Sequence, residues 1–165
     1  MKTRPRVLLL CYGNPARLDD GLGPAFARAI EACGIPDVTV ETNYQLMLED
    51  AVAISRHDLV IFVDACTEGE APFSLVPVLP QDSVSFTTHE VKPGFLVKLA
   101  EELFPPGAPG YALGIRGYRF DNFGEELSPA AQANLEAAAE FVRELLTDNV
   151  FDRLEGYGCA APRLG

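Results

Sequence analysis

Three observations predict an α/β fold, a three-layer α/β/α sandwich around a mostly parallel central sheet of about five strands. Two unbroken apolar runs, Val7-Leu8-Leu9-Leu10-Cys11 and Leu59-Val60-Ile61-Phe62-Val63, are strand-sized and lack polar alternation, the pattern of strands covered on both faces. Strand-like and helix-like segments alternate, the order that builds a parallel sheet through helical crossovers. At 165 residues the chain has the length of one domain that buries a full core without staples.

The elements follow in order. The first strand ends at Gly13-Asn14-Pro15, a turn signal. Leu22, Phe26, Ala29, Ile30 and Cys33 then recur at spacings of three and four, one face of a helix closed by Gly34 and Pro36. Asp19 or Asp20 is a candidate cap for it, although Pro24 prefers a first helical position, which would start the regular part near Gly23. Val38-Thr39-Val40-Glu41-Thr42 is a short β-branched strand, and residues 46–54 are helix-like. Residues 59–64 form the second strong buried strand. Residues 73–79 read as a weaker strand, and Pro77 assigns it to an edge. Residues 87–104 hold a helix whose regular part follows Pro93, and residues 111–116 are a further strand. The last helix has Ser128 as N-cap, Pro129 at its first position, and Ala131, Leu135, Ala138, Val142 and Leu145 on one stripe. A single domain over residues 1–147 results, with no repeat or linker. Residues 148–165 carry no periodicity and read as a loose tail.

Composition narrows the function classes. Apolar residues make up 48% and charged residues 22%, which excludes disordered, collagenous and low-complexity protein. Thirteen basic against 24 acidic residues leave a net charge of −11, which argues against nucleic acid as a partner and favours solubility. No apolar run approaches the roughly 18 residues of a membrane helix. Residues 1–6 are basic, but the apolar run after them is too short for a secretory signal. A cytoplasmic protein with no membrane partner is expected. The four cysteines, Cys11, Cys33, Cys66 and Cys159, show no CxxC spacing and read as small buried hydrophobes rather than bridges.

In open α/β sheets the ligand site lies beyond the carboxyl ends of the strands. Three loops qualify: residues 13–23 after the first strand, Asp64-Ala65-Cys66 at the end of the third, and Thr87-Thr88-His89-Glu90. The first is neither a GxGxxG nor a GxxxxGK[ST] loop, and its two carboxylates would repel a phosphate. Asp19 and Asp20 would suit capping and the helix dipole, which accounts for one aspartate more readily than for two. Asp64 closes an apolar strand, where a carboxylate is partly desolvated and its pKa rises unless it is paired or metal-bound; a simple turn role is the alternative. His57 falls at the amino end of its strand, away from these loops. Asp20, Asp64 and His89 brought to one sheet edge would suit nickel, zinc or iron, with positions open for an incoming ligand. There is no GxSxG elbow and no HExxH helix.

Gly13-Asn14, Asp19-Asp20-Gly21 and Gly23 after a first strand, the strand-terminal Asp64-Ala65, and His89 beyond them resemble the hydrogenase maturation protease family, over about residues 7–146. The resemblance implies a three-layer, phosphorylase/hydrolase-like α/β fold. It also implies an endopeptidase that removes the C-terminal extension of a nickel-loaded hydrogenase large-subunit precursor. Asp20, Asp64 and His89 match the family's metal-contacting positions, and Asp20 stands where some members have Glu. Nickel would arrive inside the substrate rather than be held at rest, with another divalent metal able to occupy the site in a crystal. Nickel would serve as a recognition mark or as a Lewis acid. An aspartyl-protease mechanism, in which Asp20 and Asp64 share a proton, is the alternative.

Supporting roles are expected for Gly13, Gly21 and Gly23 (close backbone approach or positive φ), for Asn14 (orienting the peptide or holding the turn) and for Asp19 (capping or buttressing). After the second strand, where many members carry a glycine-rich stretch, this chain has Thr42-Asn43-Tyr44-Gln45-Leu46, which points to the precursor of a different hydrogenase class. Tyr44 and Gln45 there, and the aromatic, basic segment 117–123, are candidates to grip it; Tyr118, Phe120 and Phe123 would equally suit a packed turn. A nickel-sensing chaperone that does not cut, and a peptidyl-tRNA hydrolase-like enzyme, remain as other readings.

Overall fold

The computed structural model describes residues 3–82, 90–148 and 150–155. Its strands are β1 (Val7–Tyr12), β2 (Val38–Asn43), β3 (Leu59–Cys66), β4 (Phe73–Val78) and β5 (Gly110–Arg116). They form one sheet in the order β2-β1-β3-β5-β4. Every neighbouring pair is parallel except β4 with β5. The expected architecture is therefore the observed one. Pro77 sits on the edge strand β4, opposite Tyr111, where a missing N–H leaves no ladder bond unmade on the open side.

Side chains alternate across the sheet, so one residue parity feeds each face. Leu9, Cys11, Ile61 and Val63 pack with Leu22 and Phe26 of α1 (Leu22–Glu31) and with Leu135 and Val142 of α4 (Pro129–Thr147). Leu8, Leu10, Val60 and Phe62 pack with Ile54 of α2 (Asp50–Ser55) and with Leu96 and Ala100 of α3 (Pro93–Leu103). All of these side chains are buried, which explains why β1 and β3 read as continuous apolar runs.

Local signals set most helix ends. The Ser128 hydroxyl accepts from Ala131 N at 3.3 Å, and Pro129 and Pro93 open their helices. Neither Asp19 nor Asp20 caps α1. Its N-cap is Gly21, without a side-chain bond, because a 3-10 turn over Leu18–Gly21 precedes it. The helix expected over 46–54 begins only at Asp50. The Asp50 carboxylate reaches back to Met47 N at 2.8 Å and closes the preceding residues into a turn.

The expected loose tail is corrected over six residues. Val150–Glu155 form a short helix, α5, and Leu154 is buried in the α1/α4 core. Burial of one leucine against a preformed face orders a segment too short to show a period. Residues 156–165, Cys159 among them, lie outside the described residues. Of the other cysteines Cys11 is buried, Cys66 is partly buried and Cys33 is exposed, so only Cys11 fully fits the expectation of a core residue; all three are free thiols. No described helix is long and apolar enough to cross a membrane.

Candidate functional site

From β1 the chain turns through α1 to β2 on one side, then crosses back through α2 to β3 on the other. The loops leaving β1 and β3 thus diverge and open a crevice between their carboxyl ends, the topological switch point. Asp20 lies on the first loop and Asp64 at the end of β3.

Asp64 follows Val63, which is paired with Cys11, and is itself in register with Gly114. It shares the α2/α3 side of the sheet with Tyr12. It is partly buried, and its Oδ1 accepts from Ala65 N at 2.8 Å. Burial raises its pKa; the Ala65 amide opposes this, and the charges of Asp20 and Glu90 add to it, leaving Asp64 at about 7. The same neighbourhood acts on the Tyr12 phenol, whose pKa is driven upward by burial and then by Asp64 and Glu90, so it stays protonated. Tyr12, Asp20, Asp64 and Glu90 therefore form one electrostatic cluster.

The approach of Asp20 depends on a tight turn. Its Oδ2 accepts from Asn14 N at 2.9 Å, and the Asn14 side chain accepts from Ala16 N at 2.9 Å. Asn14 thus holds the turn with its Oδ1. Gly13 has φ +141°, and a Cβ there would lie 2.1 Å from the Asp20 carbonyl oxygen, so no other residue fits. Gly21 packs against Pro15 and Gly23 against the Tyr12 backbone.

Asp19 is buried against the 117–128 segment. It accepts from Tyr118 N (2.8 Å), Arg119 N (2.9 Å), Ser128 N (2.8 Å) and Ser128 Oγ (2.7 Å). Burial disfavours its charge, but these donors outweigh that effect and hold its carboxyl below the usual range. The aromatic residues of the 117–123 segment differ in their packing. Phe120 packs over Gly117, Tyr118 stacks on Arg116 with its centroid 5.1 Å from the guanidinium carbon, and Phe123 is 80% exposed.

Tyr44 is 70% exposed and borders a cavity of about 330 Å³ shared with Gly13, Pro15 and Asn43. Gln45 lines a smaller one of about 50 Å³ beside Tyr12. His57 is held by Ala53 O and Thr39 Oγ1, distant from the crevice as expected. His89 lies outside the described residues. Its neighbour Glu90 is described, and its charge is felt at both Asp64 and Tyr12. Among the described residues no three His, Cys, Asp or Glu side chains are gathered to hold a metal. Sequence reasoning missed Tyr12 and Glu90 as members of the cluster. The signal for Tyr12 was its position at the end of a buried strand, in step with Asp64.

No family profile matches the chain, and no curated protein does. Solved structures match over nearly its whole length. The NiFe hydrogenase maturation protease HycI from Thermococcus kodakarensis is 26% identical, covers 87% of this chain and 93% of its own, and superposes with a TM-score of 0.66. The hydrogenase 2 maturation peptidase from a Thaumarchaeota archaeon is 24% identical, covering 86% and 97%, with a TM-score of 0.60. The endopeptidase HycI from Escherichia coli is 23% identical, covering 84% and 90%, at 0.63; at these last two identities the likeness speaks for the fold. The chain shares the three-layer α/β fold of these peptidases. Within that class the chain is similar to hydrogenase maturation proteases.

Proposed function

We propose that this protein is a cytoplasmic endopeptidase that removes the C-terminal extension of a hydrogenase large-subunit precursor, and that it recognises nickel already carried by that precursor. The observation that carries the reading is the desolvated Asp64 at the switch point of the sheet, held at about 7 by burial and by the charges of Asp20 and Glu90. A buried carboxyl that loses its proton near neutrality without a cation partner among the described residues is poised to gain from an arriving cation. Asp20 and Asp64, with His89, would complete the coordination of the substrate's nickel. Carboxylate and imidazole donors suit that ion. Tyr12, protonated beside them, can donate a hydrogen bond to a peptide carbonyl entering the crevice. Tyr44 and its cavity would take the chain leading to the cut.

The electrostatic effect of Asp20 on Asp64 also favours a second reading, a carboxylate pair that shares one proton and activates water. One experiment separates the two. Purified protein is incubated with nickel-loaded and nickel-free precursor, and the C-terminus is read by mass spectrometry. The proposal expects the mass loss of the extension only in the loaded precursor, and a loss of cleavage in Asp20→Asn. Full-rate cutting of the nickel-free precursor would favour the carboxylate pair. Binding with no change in mass would leave a chaperone and end the peptidase reading.

A further inference from the structure

We propose that Asp19 is a positioning residue, whose buried carboxylate clamps the 3-10 turn carrying Asp20 against the 117–128 loop. The proposal rests on the reading of Asp20 as a group that meets the substrate. Asp19 has no exposed surface, so it cannot touch a ligand itself. All four of its donors come from chain about a hundred positions away. A buried carboxylate is costly unless every lone pair is matched, and here the match comes wholly from one loop.

Independent contacts run along the same seam. Leu18 N donates to Gly124 O at 2.8 Å, Gly124 N to Ala16 O at 2.8 Å, and Asp19 N to Arg119 O at 3.0 Å. Arg17 Nη2 reaches Phe120 O at 3.3 Å. Gly117 leaves the space Asp19 needs, since a Cβ there would lie 3.0 Å from the Asp19 Cβ. The turn is also strained. Leu18 has φ +51°, in the left-handed region that a leucine rarely adopts. Such a conformation persists only where surrounding bonds over-determine it, and strain of this kind gathers at functional sites. The clamp supplies those bonds one residue before Asp20. Released from it, Leu18 would relax and Asp20 would leave both Asn14 N and the neighbourhood of Asp64.

The test is amide hydrogen exchange on the full chain. Asn14 N is held by the Asp20 carboxylate and reports its position, whereas Ile61 in β3 reports global stability. In Asp19→Asn the ratio of the Asn14 rate to the Ile61 rate should rise at least tenfold. If that variant does not fold, Ser128→Ala, which removes one of the four donors, should raise the ratio at least threefold. An unchanged ratio in the folded variant overturns the proposal, because Asp19 would then serve overall stability alone. Cleavage adds a second readout. Asp19→Asn should slow cutting of the nickel-loaded precursor at least tenfold, since Asp19 acts through Asp20. Cutting at the wild-type rate in a folded Asp19→Asn overturns it too. If the wild type does not cut the precursor, the peptidase reading fails while the exchange ratio still decides the role of Asp19.

Discussion

Replacing Asp64 by Asn changes one proton-binding group and little else. The amide oxygen can still accept from Ala65 N, and the volume is nearly the same. In the unfolded chain this carboxyl titrates at 3.8; in the folded protein it titrates at about 7, because burial and the charges of Asp20 and Glu90 disfavour its ionised form. The native state therefore holds more protons than the unfolded state between pH 4 and 7. Stability falls with rising pH across that window. At about 1.4 kcal/mol per pH unit, the ionised group costs about 4 kcal/mol above pH 8. The uncharged variant escapes this cost. Urea unfolding of both proteins from pH 4 to 8.5, with chelator present, should show nearly equal stability at pH 4 and a gap that widens to about 4 kcal/mol in favour of Asp64→Asn. The gap should be smaller when both carry Asp20→Asn, because one of the raising charges is gone. A difference that stays constant with pH would refute the placement of Asp64 in a desolvated, acidic crevice.

Gly13→Ala should destabilise by about 3 kcal/mol or more in urea unfolding, from backbone strain at φ +141° together with the clash against the Asp20 carbonyl; a cost under about 1 kcal/mol would mean that the turn is not so tight. Leu154→Ala should cost about 2–5 kcal/mol, since it opens a cavity beneath a side chain that is 1% exposed. A negligible change in thermal unfolding would show that α5 is not docked.

Much of the fold was readable because its signals are local. The unbroken runs of β1 and β3, the Pro77 edge, and the Ser128-Pro129 start of α4 each follow from the chemistry of a few adjacent residues. The site was readable in part. Asp20 and Asp64 stood out because a strand-terminal carboxylate and a glycine-rich turn with a second aspartate exceed what capping requires. Tyr12 and Glu90 did not, since a tyrosine after an apolar run and a glutamate beside a histidine are ordinary until the tertiary fold sets them near Asp64. For Asp19, read as capping or buttressing, the sequence left the choice open for the same reason. Its partners, Tyr118, Arg119 and Ser128, lie far along the chain, and no pattern in either segment announces the other.

The sequence by itself determined which segments become strands and helices, which faces they bury, and that acidic groups end up at the carboxyl edge of the sheet. The order β2-β1-β3-β5-β4 was decided only by the tertiary structure. With it came the influence of the Asp20 charge on Asp64, the shift of Asp64 to about 7, and the docking of Leu154. Periodicity and turn chemistry act over a few residues, whereas desolvation and charge coupling depend on distances that chain order does not encode.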